Sequence, residues 1–235
     1  MTAKERSLDL ISFIDKSPSP FHAVQEISRR LEQEGFVYLP ETEAFPVVRG
    51  GKYYTKRNGS SIIAFRIPQE PKGGFQILAS HSDSPSFKIK GENPFLEDGN
   101  YTRLNVERYG GMIMAPWLDR PLGIAGRVIV RTEDGVRSEL VDSERNLTMI
   151  PNMPIHLSRK MNESLSYDAQ KDMLPVIGGP DAKEHFFEGS DAVRQRKISW
   201  EWICFCIIVF RQRYTAWRKS MWEAHDWMTF SVHME

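Results

Sequence analysis

The chain has 235 residues, enough for one large domain or two small ones with a well-buried core. Lys plus Arg and Asp plus Glu each total 31, so no charge excess favours nucleic acid or an anionic membrane as a partner. The first residues, MTAKERSLDL, lack the apolar run of a secretory signal, which predicts a cytoplasmic protein.

Two helices are predicted at the start of the chain. Apolar residues at three-residue spacing indicate a short helix over residues 5–16. The second helix has clearer signals, because Ser19 can cap it, Pro20 suits its first turn, and Gly35 can end it.

Strand signals follow the second helix. In GKYYTKRNGSSIIAF, the pair Asn58-Gly59 lies between β-forming residues and predicts a hairpin. The apolar run GGFQILAS, residues 73–80, predicts a strand covered on both faces. Helix, hairpin and buried strand together favour an α/β sheet with helices packed on it.

The composition changes near residue 90 and again near residue 190. The middle part contains strand-sized pieces divided by Gly, Asn, Asp and Pro, with Asp134-Gly135 as a second hairpin signal, and predicts a separate β-rich domain. The last part is rich in Trp, shows no sustained period, and has an apolar run at 200–210 that is shorter than the roughly 18 residues of a membrane span.

A His-x-Asp triplet follows the predicted buried strand. In a strand, His81 and Asp83 would share a face, so one ring nitrogen could bind a metal while the carboxylate accepts the other N–H. The alternative is a hydrogen-bonded loop histidine in a turn before Pro85, and spacing alone favours that alternative. A catalytic serine at Ser82 or Ser84 is less favoured, because no Gly-x-Ser-x-Gly elbow surrounds either residue.

Six ordered motifs carry a family resemblance over about residues 5–180. They are SPSPFHAV (17–24), GGKYYTKRNGSSIIAF (50–65), ASHSDSPSFKIK (79–90), VERYGG (106–111), WLDRPLGIAGRV (117–128) and IPNMPIHLSR (150–159). In this order they resemble the aspartyl aminopeptidase family of zinc metalloaminopeptidases.

The resemblance implies a peptidase that removes N-terminal residues, often acidic ones, with two metal ions, usually zinc. In that family a nearby Glu acts as general base beside the metal pair. His81 matches the first metal ligand, Asp83 matches the carboxylate that orients it, and His156 matches a histidine near a substrate site, in some members that of a neighbouring subunit. Without the family, a buried β-domain histidine would be the preferred interpretation of His156.

The family fold implies three regions of this chain. Residues 1–90 correspond to the N-terminal part of an α/β/α catalytic domain, residues 91–185 to a β-rich dimerisation domain, and residues 186–235 to a tail that does not resemble the family. Family members form large homo-oligomers, commonly dodecamers. The family's remaining ligands and its general base follow the second domain, and no matching motif is present here.

The genetic code suggests a reason for this departure. Across Trp227-Met228-Thr229, the frame that starts at each codon's third base must encode Asp-Asp, and codon choice extends this to Pro-Arg-Leu-Asp-Asp-Leu-Gln-Cys. The stretch 201–209 can likewise encode Met-Asp-Leu-Phe-Leu-Tyr-Asn-Arg. Both phrases resemble the family after its second domain, which leads to the hypothesis of a frameshift between about residues 180 and 200.

Two functional hypotheses follow from the sequence. The first is a metalloaminopeptidase by descent, in which this chain is inactive or poorly stable because most ligands are missing. The second is a non-catalytic subunit or oligomerisation fragment, for which residues 91–180 alone should be soluble and self-associating. A membrane-attached fragment is the weakest alternative, because the apolar run is short.

Overall fold

The structure is a computed structural model that describes residues 1–70, 73–132, 135–186 and 203–210. Its helices are α1 (Ala3–Asp15), α2 (Pro20–Gln33) and α3 (Ala182–His185). Its strands are β1 (Val37–Tyr38), β2 (Lys52–Arg57), β3 (Ser61–Arg66), β4 (Ser86–Ile89), β5 (Phe95–Glu97), β6 (Thr102–Leu104), β7 (Val106–Tyr109), β8 (Leu122–Thr132), β9 (Gly135–Asp142), β10 (Val176–Gly178) and β11 (Ile203–Phe210). The mixed α/β class expected from the sequence is confirmed.

The predicted second helix is α2, and local signals set both of its ends. Ser19 is the N-cap, with its Oγ accepting the His22 N–H at 3.4 Å, and Pro20 occupies the first turn. Gly35 follows the last turn with φ of +81°, a conformation that glycine adopts without strain. Phe21 and Val24 are buried, so this helix packs by its apolar stripe.

The hairpin predicted around Asn58-Gly59 is also present. It joins β2 to β3, and β1 adds to β2 in parallel to complete a three-stranded sheet of order β1-β2-β3. The connection uses three residues rather than two, because Arg57 pairs with Ser61. Asn58 and Gly59 both have positive φ, at +52° and +68°, which explains the need for Asn and Gly there.

The buried strand predicted at 73–80 is wrong. These residues form no strand and are exposed along their whole length, with Phe75 at 95% and Leu78 at 100% of their reference areas. The sheet of β1 to β3 ends at β3, and within the described ranges no strand pairs with the segment. An apolar strand needs neighbours on its edges and faces, and the residues that the structure describes supply none to this segment.

A five-stranded antiparallel sheet forms the main core, in the order β7-β4-β11-β8-β9. The hydrophobic cluster packed on this sheet has fully buried side chains that include Phe87, Leu104, Leu122, Ile150 and Ile208. The second hairpin signal is confirmed by the β8–β9 pairing, although residues 133 and 134 of the turn lie outside the described ranges. Strand β4 lies in this sheet, whereas the boundary expected near residue 90, which stays a prediction, places it in the catalytic part.

The tail prediction needs a correction at β11. An irregular structure is expected for 186–235, yet 203–210 forms a strand between β4 and β8. The run ICFCIIVF does not alternate because the strand is covered on both sides, as Cys206 to Val209 are all buried. Within the described ranges, no helix is both long and apolar enough to cross a membrane. Apart from Phe186, the remaining tail residues lie outside those ranges.

Candidate metal-ligand site

His81 lies in the exposed loop between the 73–80 segment and β4. Its Nδ1 lies 2.7 Å from the backbone oxygen of Asp83 and 3.2 Å from Asp83 Oδ1. Both neighbours are acceptors, so at neutral charge the ring proton belongs on Nδ1 and donates to them. That leaves the Nε2 lone pair available to a metal, on a side chain that is 80% exposed.

Asp83 links this imidazole to the five-stranded sheet. Its Oδ2 accepts a hydrogen bond from the Tyr109 hydroxyl at 3.0 Å, while its Oδ1 faces His81. Burial and then this carboxylate raise the pKa of Tyr109, so the tyrosine stays a donor at neutral pH. Tyr109 is a residue that the sequence reasoning missed, although it lies in the quoted motif VERYGG.

Ser82 anchors the same loop to the hairpin of the small sheet. Its Oγ donates to the backbone oxygen of Ser60 at 2.9 Å, across 22 residues of sequence. The hydroxyl proton is therefore engaged with a carbonyl, and this contact supplies no base that could activate a nucleophile. The hydrogen bond gives Ser82 a structural role. This agrees with the sequence, which disfavours a catalytic serine at this position.

The loop offers one imidazole rather than a complete metal site. Across the described ranges, no group of three or more His, Cys, Asp or Glu side chains converges where an ion could bind. A catalytic zinc takes about three protein ligands, and a two-metal site needs bridging carboxylates. The described donor set therefore fits one ligand of such a site and does not fit the pair of ions.

His156 lies on a second exposed loop. The turn that carries it is closed by the Leu157 N–H, which donates to Pro154 O at 2.9 Å. The alternative of a buried β-domain histidine is wrong, because the side chain faces solvent. Among the described residues, no hydrogen bond or ion pair joins His156 to the loop of His81.

Comparisons with known proteins give the chain a family. The sequence profile of the family described as "Aminopeptidase I zinc metalloprotease (M18)" matches residues 13–201. A "Probable M18 family aminopeptidase 2" of Ectopseudomonas mendocina is 41% identical over 170 residues, which make up 72% of this chain and 39% of that relative.

Solved structures match over a similar part of the chain. A structure titled "Cryo-EM structure of the Ape4 and Nbr1 complex" is 33% identical to this chain, with a TM-score of 0.80. The match covers 90% of this chain and 45% of that one. The "Structure of S. cerevesiae mApe1 dodecamer" is 25% identical to this chain, with a TM-score of 0.64. The match covers 87% of this chain and 48% of that one.

The chain thus spans less than half the length of these three proteins. The matched stretch, 13–201, contains His81, Asp83, Tyr109 and His156. A profile match over most of the chain and the similar fold of solved relatives lead to one conclusion: the chain belongs to the M18 family of aminopeptidase I zinc metalloproteases.

Proposed function

We propose that this chain represents the N-terminal portion of a metal-dependent aminopeptidase subunit that removes N-terminal, often acidic, residues from peptides. The observation that carries the proposal is the contact of His81 Nδ1 with two oxygens of Asp83. It fixes the ring tautomer and directs the other nitrogen to solvent, which is what a metal-binding histidine requires. Membership of the M18 family supports the same conclusion.

The three site residues take different roles in this proposal. His81 supplies one ligand to zinc, or to another divalent metal, through Nε2. Asp83 orients that ligand and makes it more basic, with Tyr109 holding the second carboxylate oxygen. His156 lies near the substrate, in the site of its own or a neighbouring subunit, and its exposure on a loop is compatible with such a contact.

We propose that the 235-residue chain is inactive by itself. The family uses two ions, and the described residues supply one suitable histidine without a bridging carboxylate. Its general base is also missing, because the chain contains no Glu-Glu pair. Polarisation of the scissile carbonyl therefore needs further metal ligands and a base in addition to His81 and Asp83.

A homo-oligomer in the cytoplasm is the proposed assembly and location. The dodecameric yeast structure supports the oligomer. Balanced charge gives no support for a nucleic-acid or membrane partner. A second candidate, a non-catalytic subunit that joins complete subunits, is favoured by the contrast between the closed core of the five-stranded sheet and the incomplete metal site.

The nucleotide sequence gives the first test of the proposal. Because Asp-Asp at 227–229 is forced by the genetic code, the test lies in the codons around it. The third-base frame should encode Pro-Arg-Leu before this pair and Leu-Gln-Cys after it, and should encode Met-Asp-Leu-Phe-Leu-Tyr-Asn-Arg over 201–209. A stop codon or an unrelated peptide in that frame would remove the frameshift hypothesis.

The activity test uses the frame-restored protein and a peptide that begins with Asp. We expect zinc-dependent hydrolysis, with kcat/KM reduced at least about 100-fold by His81→Ala, because a ligand is lost. His22→Gln, which changes a histidine on α2 whose Nδ1 lies 2.7 Å from Ser19 Oγ, is the control outside the His81 loop and should reduce kcat/KM far less than His81→Ala. Full activity in His81→Ala would refute the role of His81, and the absence of zinc-dependent hydrolysis by the frame-restored protein would refute the proposed aminopeptidase.

A further inference from the structure

Two of the six sequence motifs meet beside the core. Leu118, in WLDRPLGIAGRV, forms a bridge with Ile150, which opens the motif that carries His156. Both side chains are buried in the main cluster. The backbone of the first motif therefore lies directly beside the start of the His156 loop.

Asp119 follows this bridge in an unusual backbone conformation. Its φ is +53°, in the left-handed region where residues other than glycine are uncommon and where Asp and Asn are the best tolerated. Its N–H donates to Ile150 O at 2.9 Å. The conformation thus turns the side chain of an exposed residue back towards the second motif rather than along a strand.

The Asp119 carboxylate closes the turn onto the His156 loop. Its Oδ1 accepts the N–H of Asn152 at 2.9 Å, and Asn152 Oδ1 in turn accepts the N–H of Met153 at 2.9 Å. Two successive amides of the loop are therefore held by side-chain oxygens. Glycine would fit the φ but would supply no acceptor, so the aspartate meets both requirements at once.

The same turn also contacts the strand that follows the His81 loop. Trp117 packs edge-to-face against Phe87 of β4, with ring centroids 5.3 Å apart and both side chains buried. Phe87 comes four residues after Asp83. The turn at 117–119 therefore contacts both regions. The Trp117 ring packs on the strand that follows the His81 loop, and the Asp119 carboxylate binds the His156 loop.

We propose that Asp119 is the positioning residue of the His156 loop: its left-handed turn and its carboxylate hold residues 151–157 so that His156 has one orientation. The functional meaning of that orientation rests on the proposed role of His156 near the substrate. The positioning itself depends only on contacts within this chain.

Hydrogen exchange of the 235-residue chain tests this proposal with two variants. Asp119→Gly keeps the backbone conformation and removes the acceptor, whereas Asp119→Asn keeps a side-chain oxygen and tolerates the same φ. We expect exchange in peptides covering 151–157 to rise about tenfold in Asp119→Gly and to stay near wild type in Asp119→Asn. Peptides from β8 and β9 should be unchanged in both.

The imidazole signals of His156 in carbon–proton NMR spectra give a second measurement. They are assigned with His156→Gln, and they should shift or broaden in Asp119→Gly and recover in Asp119→Asn. Unchanged exchange in Asp119→Gly, an equal rise in Asp119→Asn, or faster exchange throughout β8 and β9 would each overturn the proposal. Neither measurement needs zinc or catalysis. The positioning role of Asp119 can therefore be tested even if the aminopeptidase assignment fails.

Discussion

Two apolar runs of eight residues each have different structures in this chain. Residues 73–80, GGFQILAS, form an exposed segment with Leu78 fully accessible, whereas residues 203–210, ICFCIIVF, form a strand at the centre of the five-stranded sheet. Neither run alternates between apolar and polar residues. What differs is the presence of neighbours, since β4 and β8 pair with the second run and, within the described ranges, no strand pairs with the first.

The comparison bears directly on the candidate site. His81 follows the run that lacks neighbours, and its loop is held by the bonds of Ser82 to the hairpin and of Asp83 to Tyr109. Metal ligands need a rigid support to hold their geometry. The structure therefore combines a well-oriented imidazole with a segment that still exposes apolar surface, the kind of surface that promotes association.

The largest expected effect is a difference in the free energy of unfolding between one substitution in each run. Ile208 has no exposed surface, so Ile208→Ala should lower the free energy of unfolding by about 2–5 kcal/mol. The matched control Leu78→Ala removes a side chain that contacts mainly solvent and should change it by less than about 0.5 kcal/mol. Urea unfolding measures both, and equal effects would mean that the runs do not differ in burial.

A second prediction concerns the helices next to the small sheet. Glu26 is buried, and its hydrogen bonds with Arg29 and Arg30 lower its pKa from 4.5 to about 2. Because the folded pKa lies below the unfolded one, the stabilisation is present above pH 4.5 and is lost as pH falls towards 2. The pKa shift of Glu26 contributes at most about 3 kcal/mol to the free energy of unfolding. The contribution is smaller than this because solvent screens the half-exposed Arg29.

The measurement is the free energy of unfolding between pH 5 and about pH 2. Glu26→Gln should be less stable at neutral pH and should show a flatter dependence over this window. Glu43→Gln, at an exposed position, is the control and should follow the wild-type curve. An unchanged slope in Glu26→Gln would mean that this ion-pair network does not stabilise the N-terminal unit.

A smaller effect is expected at the contact that joins the His81 loop to the sheet. Tyr109→Phe removes the hydrogen bond to Asp83 and should increase hydrogen exchange in residues 81–85 by an amount equivalent to about 1 kcal/mol. Global unfolding should change little, since the ring remains. Tyr101→Phe is the control because Tyr101 is an exposed tyrosine outside this loop. No change in loop exchange would remove Tyr109 from the site.

Local signals explain which parts of the fold could be predicted from the sequence. The Ser19 cap, the Pro20 ring and the left-handed turn at Asn58-Gly59 set the backbone geometry locally, and the elements they predict are present. The fates of 73–80 and 203–210 depend on pairing with distant strands, which no local pattern contains. Within the site, the His81–Asp83 spacing was visible, but Tyr109 lies 26 residues away and is brought to Asp83 by the pairing of β4 with β7.

The most direct test of the account is the zinc content of the purified 235-residue chain, measured after dialysis together with hydrolysis of a peptide that begins with Asp. We predict less than one tightly bound ion per chain and no hydrolysis, because one oriented histidine cannot hold the metal pair. Two ions per chain, with hydrolysis that His81→Ala abolishes, would contradict the claim that the printed chain carries a single ligand of an incomplete site.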